Sequence, residues 1–151
     1  MATNREIVER YASAIMLSGD ALDALRHPDF VEDWPQSGER VRGVANMRAI
    51  DENYPRRPTV GDVMRVVGSE DRWVVTPTYT PLRIEGTGDV YTLISRAIYP
   101  PDGVWYVTNI IEVRDQLVWH VTTFFAESFE APAWRAQWVE RMPATVDQRR
   151  P

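Results

Sequence analysis

The chain has no cysteine, which removes disulfides, thiolate nucleophiles and zinc–thiolate centres and suits a reducing compartment such as the cytoplasm. It has only two histidines, His27 and His120, far apart in sequence, and its carboxylates show no metal-ligand spacing. No apolar run approaches the roughly 20 residues that cross a bilayer. The opening MATNREIVERY lacks the charged-then-apolar pattern of a signal peptide. There is no phosphate-binding glycine loop, no serine-nucleophile motif and no internal repeat. A formal net charge of −5 disfavours nucleic acid and anionic membrane as partners. No cofactor is expected.

What is present is aromatic surface: six Trp and six Tyr in 151 residues, enough chain for one core. Such residues suit a pocket or an interface, and equally a core that is merely rich in rings. A single domain is expected over residues 1–142, with 143–151 as a flexible tail.

The apolar spacing predicts a helix from Asn4 to Ser18, with Ile7, Val8, Tyr11 and Ile15 near one face. Gly19 stops it, and a short helix follows over Ala21–Arg26, ended by Pro28. Phe30–Trp34 reads as extended, and Pro35, Ser37 and Gly38 as a turn. Val44–Tyr54 returns to helical spacing. The period then becomes two. Strands are predicted over Val60–Val67, Trp73–Leu82, Val90–Tyr99, Trp105–Val113 and Leu117–Phe125. Pro77 and Pro81 force the second to an edge or a bulge. A last helix starts near Pro132. Helices followed by hairpin-linked strands argue for an α+β fold, with a curved, mostly antiparallel sheet wrapped around helices.

The stretch His27–Gly43 concentrates the polar chemistry: Glu32, Asp33, Trp34, Arg40 and Arg42. A carboxylate beside apolar rings has its pKa raised into the range useful for proton transfer. Asp33 is either such a group or a solvated turn residue. Tyr11 on an apolar helix face is either a donor in a pocket or a core tyrosine. His120 is a candidate acid or base on its strand, with Thr122 and Phe124 on the same face. Asn109 is a pocket donor or a satisfied buried amide. Trp34, Tyr54, Tyr79, Trp105, Thr122 and Phe124 are candidate pocket residues. Glu112, three places from Asn109, falls on the opposite strand face. Arg40 and Arg42 read as partners of acidic neighbours or as solvated charges. Trp134 and Trp138 either close the cone or bury themselves in a partner subunit.

Across nearly the whole chain, from IVERYASAI through VEDWPQSGERVRG to HVTTFFAESFEAPAWRAQW, the sequence resembles the nuclear transport factor 2-like superfamily. That superfamily includes ketosteroid isomerase, limonene epoxide hydrolase, scytalone dehydratase and SnoaL-like polyketide cyclases. The resemblance implies a cone-shaped α+β fold with a short C-terminal helix, and a homodimer formed through the exposed sheet face. Its closest polar match is ketosteroid isomerase. On that match Asp33, in FVEDWP, takes the place of the general base, and Tyr11 that of an oxyanion donor. Asn109 stands where that family carries a neutral aspartic acid as second donor. The epoxide hydrolases place a water-activating aspartate where this chain has Thr122. The cyclases' late-strand acid has no counterpart in HVTTFF, where His120 is the available substitute.

The expectation is therefore a cofactor-independent isomerase, dehydratase or cyclase acting by proton transfer on a small hydrophobic, carbonyl-bearing metabolite. The alternatives are a non-catalytic ligand-binding or dimeric interaction module and an epoxide hydrolase of the limonene type.

Overall fold

The structure is a computed structural model, described here for residues 1–17, 19–101 and 103–143. The expected tail lies outside the described residues from position 144 onward.

Helix α1 spans Asn4–Ala14. Thr3 caps it, its hydroxyl accepting from the Glu6 N–H while the Glu6 carboxylate accepts from the Thr3 N–H. Such a capping box contributes about 1 kcal/mol. The inner face of α1 buries Ile7, Val8, Tyr11 and Ala12, and each fully buried large apolar side chain contributes about 1.5–3 kcal/mol. The single turn α2 covers Asp20–Asp23 and α3 covers Val44–Glu52. Both helices stop earlier than apolar spacing alone suggests.

Eight strands follow this plan. They are β1 (Arg26–Trp34), β2 (Glu39–Arg42), β3 (Val60–Gly68), β4 (Arg72–Val75), β5 (Pro81–Ile84), β6 (Val90–Tyr99), β7 (Gly103–Arg114) and β8 (Leu117–Glu127). Six form one sheet in the order β2-β1-β8-β7-β6-β3. Its pairs are antiparallel except β1 with β8. Helix α1 packs across β3, β6, β7 and β8, and α3 across β1 and β2. The core lies between helices and sheet, centred on Tyr11, Phe30, Leu93, Ile111 and Val121. This is the α+β cone.

Three elements depart from the sequence expectation. The extended segment before the turn begins at Arg26, so the region expected as a helix end belongs to β1. Glu39–Arg42, beyond the turn, pairs with β1 as an edge strand. The expected strand Trp73–Leu82 is two short strands forming a separate hairpin, β4 with β5. Pro77 lies in the intervening turn, where its missing N–H costs no ladder bond. The C-terminal helix is a short 3-10 turn, Ala133–Trp138, entered from Pro132.

A break in β8 matters for everything that follows. The β7–β8 register runs Glu112↔His120 and then Val113↔Val118, so Trp119 is an extra residue. Such a bulge shifts the side-chain phase by one. Counting by twos from buried Val118 gives 120, 122 and 124, but the inward residues beyond the bulge are Val121, Thr123 and Phe125.

Candidate functional site

A cavity of about 200 Å³ lies between the inner sheet face, α1 and α3. Its wall is largely apolar, with Leu93, Ile50, Val107 and Phe125 among its residues. Polar groups enter it from several elements, among them Tyr11 from α1, Arg26 and Glu32 from β1, Asp51 from α3, Asn109 from β7 and Thr123 from β8; Arg57, Asp62, Ser95 and Arg96 also line it. An enclosed apolar site with a few convergent polar groups is the usual form of a small-molecule site.

Three carboxylates line this cavity, Glu32, Asp51 and Asp62, and the buried one among the described residues is Glu32. It is only 7% exposed. Alternation along β1 turns Phe30, Glu32 and Trp34 inward, and Asp33 outward. One oxygen of Glu32, Oε1, accepts from the Thr123 hydroxyl at 2.7 Å and from the Trp34 indole N–H at 3.0 Å. Thr123 in turn accepts from the Asn109 amide at 2.8 Å. Burial pushes the Glu32 carboxyl above its usual value, and the Asp51 charge adds to that. The bonds from Thr123 and Trp34 and the charge of Arg26 oppose it, but burial outweighs them.

Arg26 is a buried cation of the site, with its side chain 1% exposed, and Arg96 is a second. Arg26 donates to Asp23 at 2.9 Å and to Asp51 at 3.3 Å, and it lies over the Phe30 ring, 5.0 Å from its centroid. The Tyr11 hydroxyl and the Arg26 guanidinium lie close enough to interact through charge and a loose hydrogen bond. Neither the hydroxyl nor Arg26 Nε makes a hydrogen bond of good geometry, and both are fully buried. Burial raises the Tyr11 phenol well above its ordinary value, with the Glu32 charge adding to the effect, so the hydroxyl keeps its proton. A buried polar atom without a partner costs about 1–3 kcal/mol. Two such atoms in one cavity wall point to something beyond packing.

Asp33, the base expected from the resemblance, is on the other sheet face. Its carboxylate takes a two-pronged contact from Arg40, Nε at 2.5 Å and Nη2 at 2.7 Å, and meets His120 Nε2 at 3.0 Å. Those bonds, Arg40's first and His120's after, hold its pKa down at about 2. A carboxylate so held is a weak proton acceptor. His120 shares this outer cluster and meets Glu112 Oε2 at 2.5 Å with its other nitrogen. Thr122 and Phe124 also face outward, Phe124 being 40% exposed. These placements correct the expected pocket face of β8, and the bulge at Trp119 is the reason.

Of the remaining candidates, Tyr11, Asn109, Trp34 and Tyr54 line the cavity. Tyr54 sits at its rim against Tyr99, the rings 6.3 Å apart. Trp105 is on the inner face of β7, but it stacks edge-on against Tyr99 at 6.2 Å, one layer behind the wall. Tyr79 is in the β4–β5 turn, 87% exposed with φ 60°, and is no part of the cavity. Trp134 and Trp138 are exposed at 72% and 71% and do not close the cone.

Nothing in the local sequence pattern marks Arg26, Asp51 or Thr123, and Glu32 stands in it as half of an acidic pair. The signal for Glu32 was present, since Phe30 and Trp34 flank it at a spacing of two and share its face. Among the described residues no cluster of His, Asp and Glu has the form of a metal site. No helix among them is long and apolar enough to cross a membrane.

Comparison with solved structures identifies the class. An NTF-2 like protein of unknown function from Burkholderia xenovorans aligns with a TM-score of 0.73 and 28% identity, covering 93% of this chain and 95% of that one. A candidate ketosteroid isomerase from Kribbella flavida aligns with a TM-score of 0.64 and 21% identity, covering 95% and 92%. A protein of unknown function with a cystatin-like fold from Methylobium petroleophilum aligns at 0.57 and 14%, covering 93% and 95%. No family model and no curated protein matches the chain. The fold is that of the nuclear transport factor 2-like proteins, which this chain resembles over nearly its whole length.

Proposed function

We propose that this protein is a cofactor-independent enzyme that moves a proton on a small, hydrophobic, carbonyl-bearing molecule, with Glu32 as the general base. The observation that carries the reading is a single buried carboxylate, raised in pKa, in a largely apolar cavity. Ionised Glu32 takes a proton from the carbon next to the carbonyl. The C–H electron pair passes into the carbonyl system and leaves an enolate oxygen. The Tyr11 hydroxyl, whose polar neighbour Arg26 can only donate, keeps its proton for that oxygen, and the Arg26 charge beside it favours the anion. Return of the proton from Glu32 to a different carbon completes an isomerisation; if instead the enolate expels a β-hydroxyl, that group takes the proton from Glu32 and leaves as water, completing a dehydration.

Two supporting expectations belong to the same reading. The outer sheet face, where Tyr106, Ile110 and Phe124 are exposed, suits a homodimer interface. The absence of cysteine suits the cytoplasm.

The test is deuterium exchange at the α-carbon across a panel of hydrophobic cyclic ketones and enones. The wild-type protein is expected to accelerate exchange for part of the panel, and Glu32→Gln to abolish the acceleration. Tight binding with no exchange would make the protein a non-catalytic ligand carrier.

A further inference from the structure

The resemblance makes Asn109 a donor to the substrate. Its contacts indicate otherwise. The Asn109 amide donates to Thr123 Oγ1 at 2.8 Å, and Asn109 is 3% exposed and Thr123 2%. A hydroxyl that accepts from one side has a single proton left to give. Here that proton goes to Glu32 Oε1 at 2.7 Å. The three residues are brought together by the sheet. Asn109 and Thr123 face each other across β7 and β8, and β8 runs beside β1, placing Thr123 next to Glu32.

We infer that Asn109 and Thr123 are positioning residues that form a directed hydrogen-bond chain, Asn109 to Thr123 to Glu32, which orients and tunes the base. This rests on the reading of Glu32 as the working carboxylate. The chain occupies Oε1 together with the Trp34 indole, and no described hydrogen bond reaches Oε2. Oε2 is thus the oxygen left for a substrate proton. The chain also favours the ionised form. Burial alone drives the carboxyl toward neutrality, and a neutral acid cannot act as base. Donation from Thr123 opposes that drive, and it is stronger when Asn109 polarises the hydroxyl. Asn109 acts on Glu32 without touching it.

The Trp34 indole N–H donates to the same oxygen, so its ¹⁵N–¹H resonance reports the ionisation of Glu32 with no substrate present. The resonance is assigned by its loss in Trp34→Phe. Its pH titration is read in wild type, Asn109→Leu, Thr123→Val, Thr123→Ser and the Asn109→Leu/Thr123→Val pair, alongside thermal unfolding. We expect Asn109→Leu and Thr123→Val each to move the midpoint upward and Thr123→Ser to keep it near wild type. The pair should lie where Thr123→Val alone lies, because the Asn109 effect passes through Thr123. The proposal is overturned if Asn109→Leu leaves the midpoint in place. It is equally overturned if Asn109→Leu moves the midpoint as far in the Thr123→Val background as in wild type. Should Asn109→Leu not fold, Asn109→Ala takes its place with the same criteria. The titration stands apart from the exchange assay. A directed chain on an inert carboxylate gives shifted midpoints with no exchange, and an active Glu32 without the chain gives exchange with unmoved midpoints.

Discussion

Glu32 and Asp33 are consecutive residues of β1, and their carboxylates occupy opposite faces of the sheet with opposite pKa displacements. Glu32 is enclosed with Thr123 and Trp34 and is raised by burial. Asp33 is held by Arg40 and His120 and lowered to about 2. One peptide unit separates a proton-transfer candidate from a structural anion.

Stability should follow pH differently for the two. Asp33 sits below its ordinary 3.8, so its pairing stabilises the fold above that value and is lost as pH falls toward about 2. Arg40 is half exposed, so solvent screens the pair and the loss should be small. Glu32 sits above its ordinary 4.5, so its contribution is present below 4.5 and is lost as pH rises through the folded value. Glu32→Gln keeps an acceptor for Thr123 and Trp34 without the buried charge. It should be more stable than wild type above the folded value of Glu32, with the advantage shrinking as pH falls toward 4.5 and absent below it. Urea unfolding across pH 3–8 checks both signs.

Tyr11→Phe should separate stability from activity. The hydroxyl has no hydrogen bond of good geometry and only a loose contact with Arg26, so its removal costs the fold little. The variant is expected to be neutral to about 1 kcal/mol more stable, while α-proton exchange falls by about 10²-fold or more. A large loss of stability would show that the hydroxyl is structurally engaged.

Arg26→Met leaves Asp51 and Asp23 facing a cavity wall without their buried cation, although Asp23 keeps Arg48 at 2.5 Å. Breaking a buried pair from one side costs about 3–5 kcal/mol. Denaturant midpoints in wild type and variant measure this. An accompanying Asp51→Asn should recover part of the loss.

The proposed homodimer predicts that Phe124→Glu, on the outer face, shifts sedimentation from dimer to monomer while the cavity is undisturbed. A wild-type monomer at all concentrations would remove that interface from the account.

The architecture was legible because its signals are local and redundant. The Val90–Tyr99 strand, the Asp115–Gln116 turn with both residues at positive φ, and Pro132 before the last helical turn each carry their own chemistry. Tyr11 and Asn109 line the cavity, one from an apolar helix face and the other from a stretch of β7 with unbroken pairing, where the phase of the spacing is kept. The face of β8 was not legible. The extra residue at Trp119 is visible only through its partner strand, and it exchanges His120, Thr122 and Phe124 for Val121, Thr123 and Phe125. The choice between Glu32 and Asp33 was available from Phe30 and Trp34. Arg26 was harder to see, since a lone arginine before His27 and Pro28 gives no sign that Asp23 and Asp51 converge on it.

The most direct measurement is a side-by-side comparison of Glu32→Gln and Asp33→Asn in the α-proton exchange assay, read across pH on a ketone that the wild-type protein turns over. The account predicts loss of exchange in Glu32→Gln. It predicts near wild-type exchange in Asp33→Asn, with a rate that rises as Glu32 ionises above its ordinary 4.5. Retained exchange in Glu32→Gln together with loss in Asp33→Asn would contradict it.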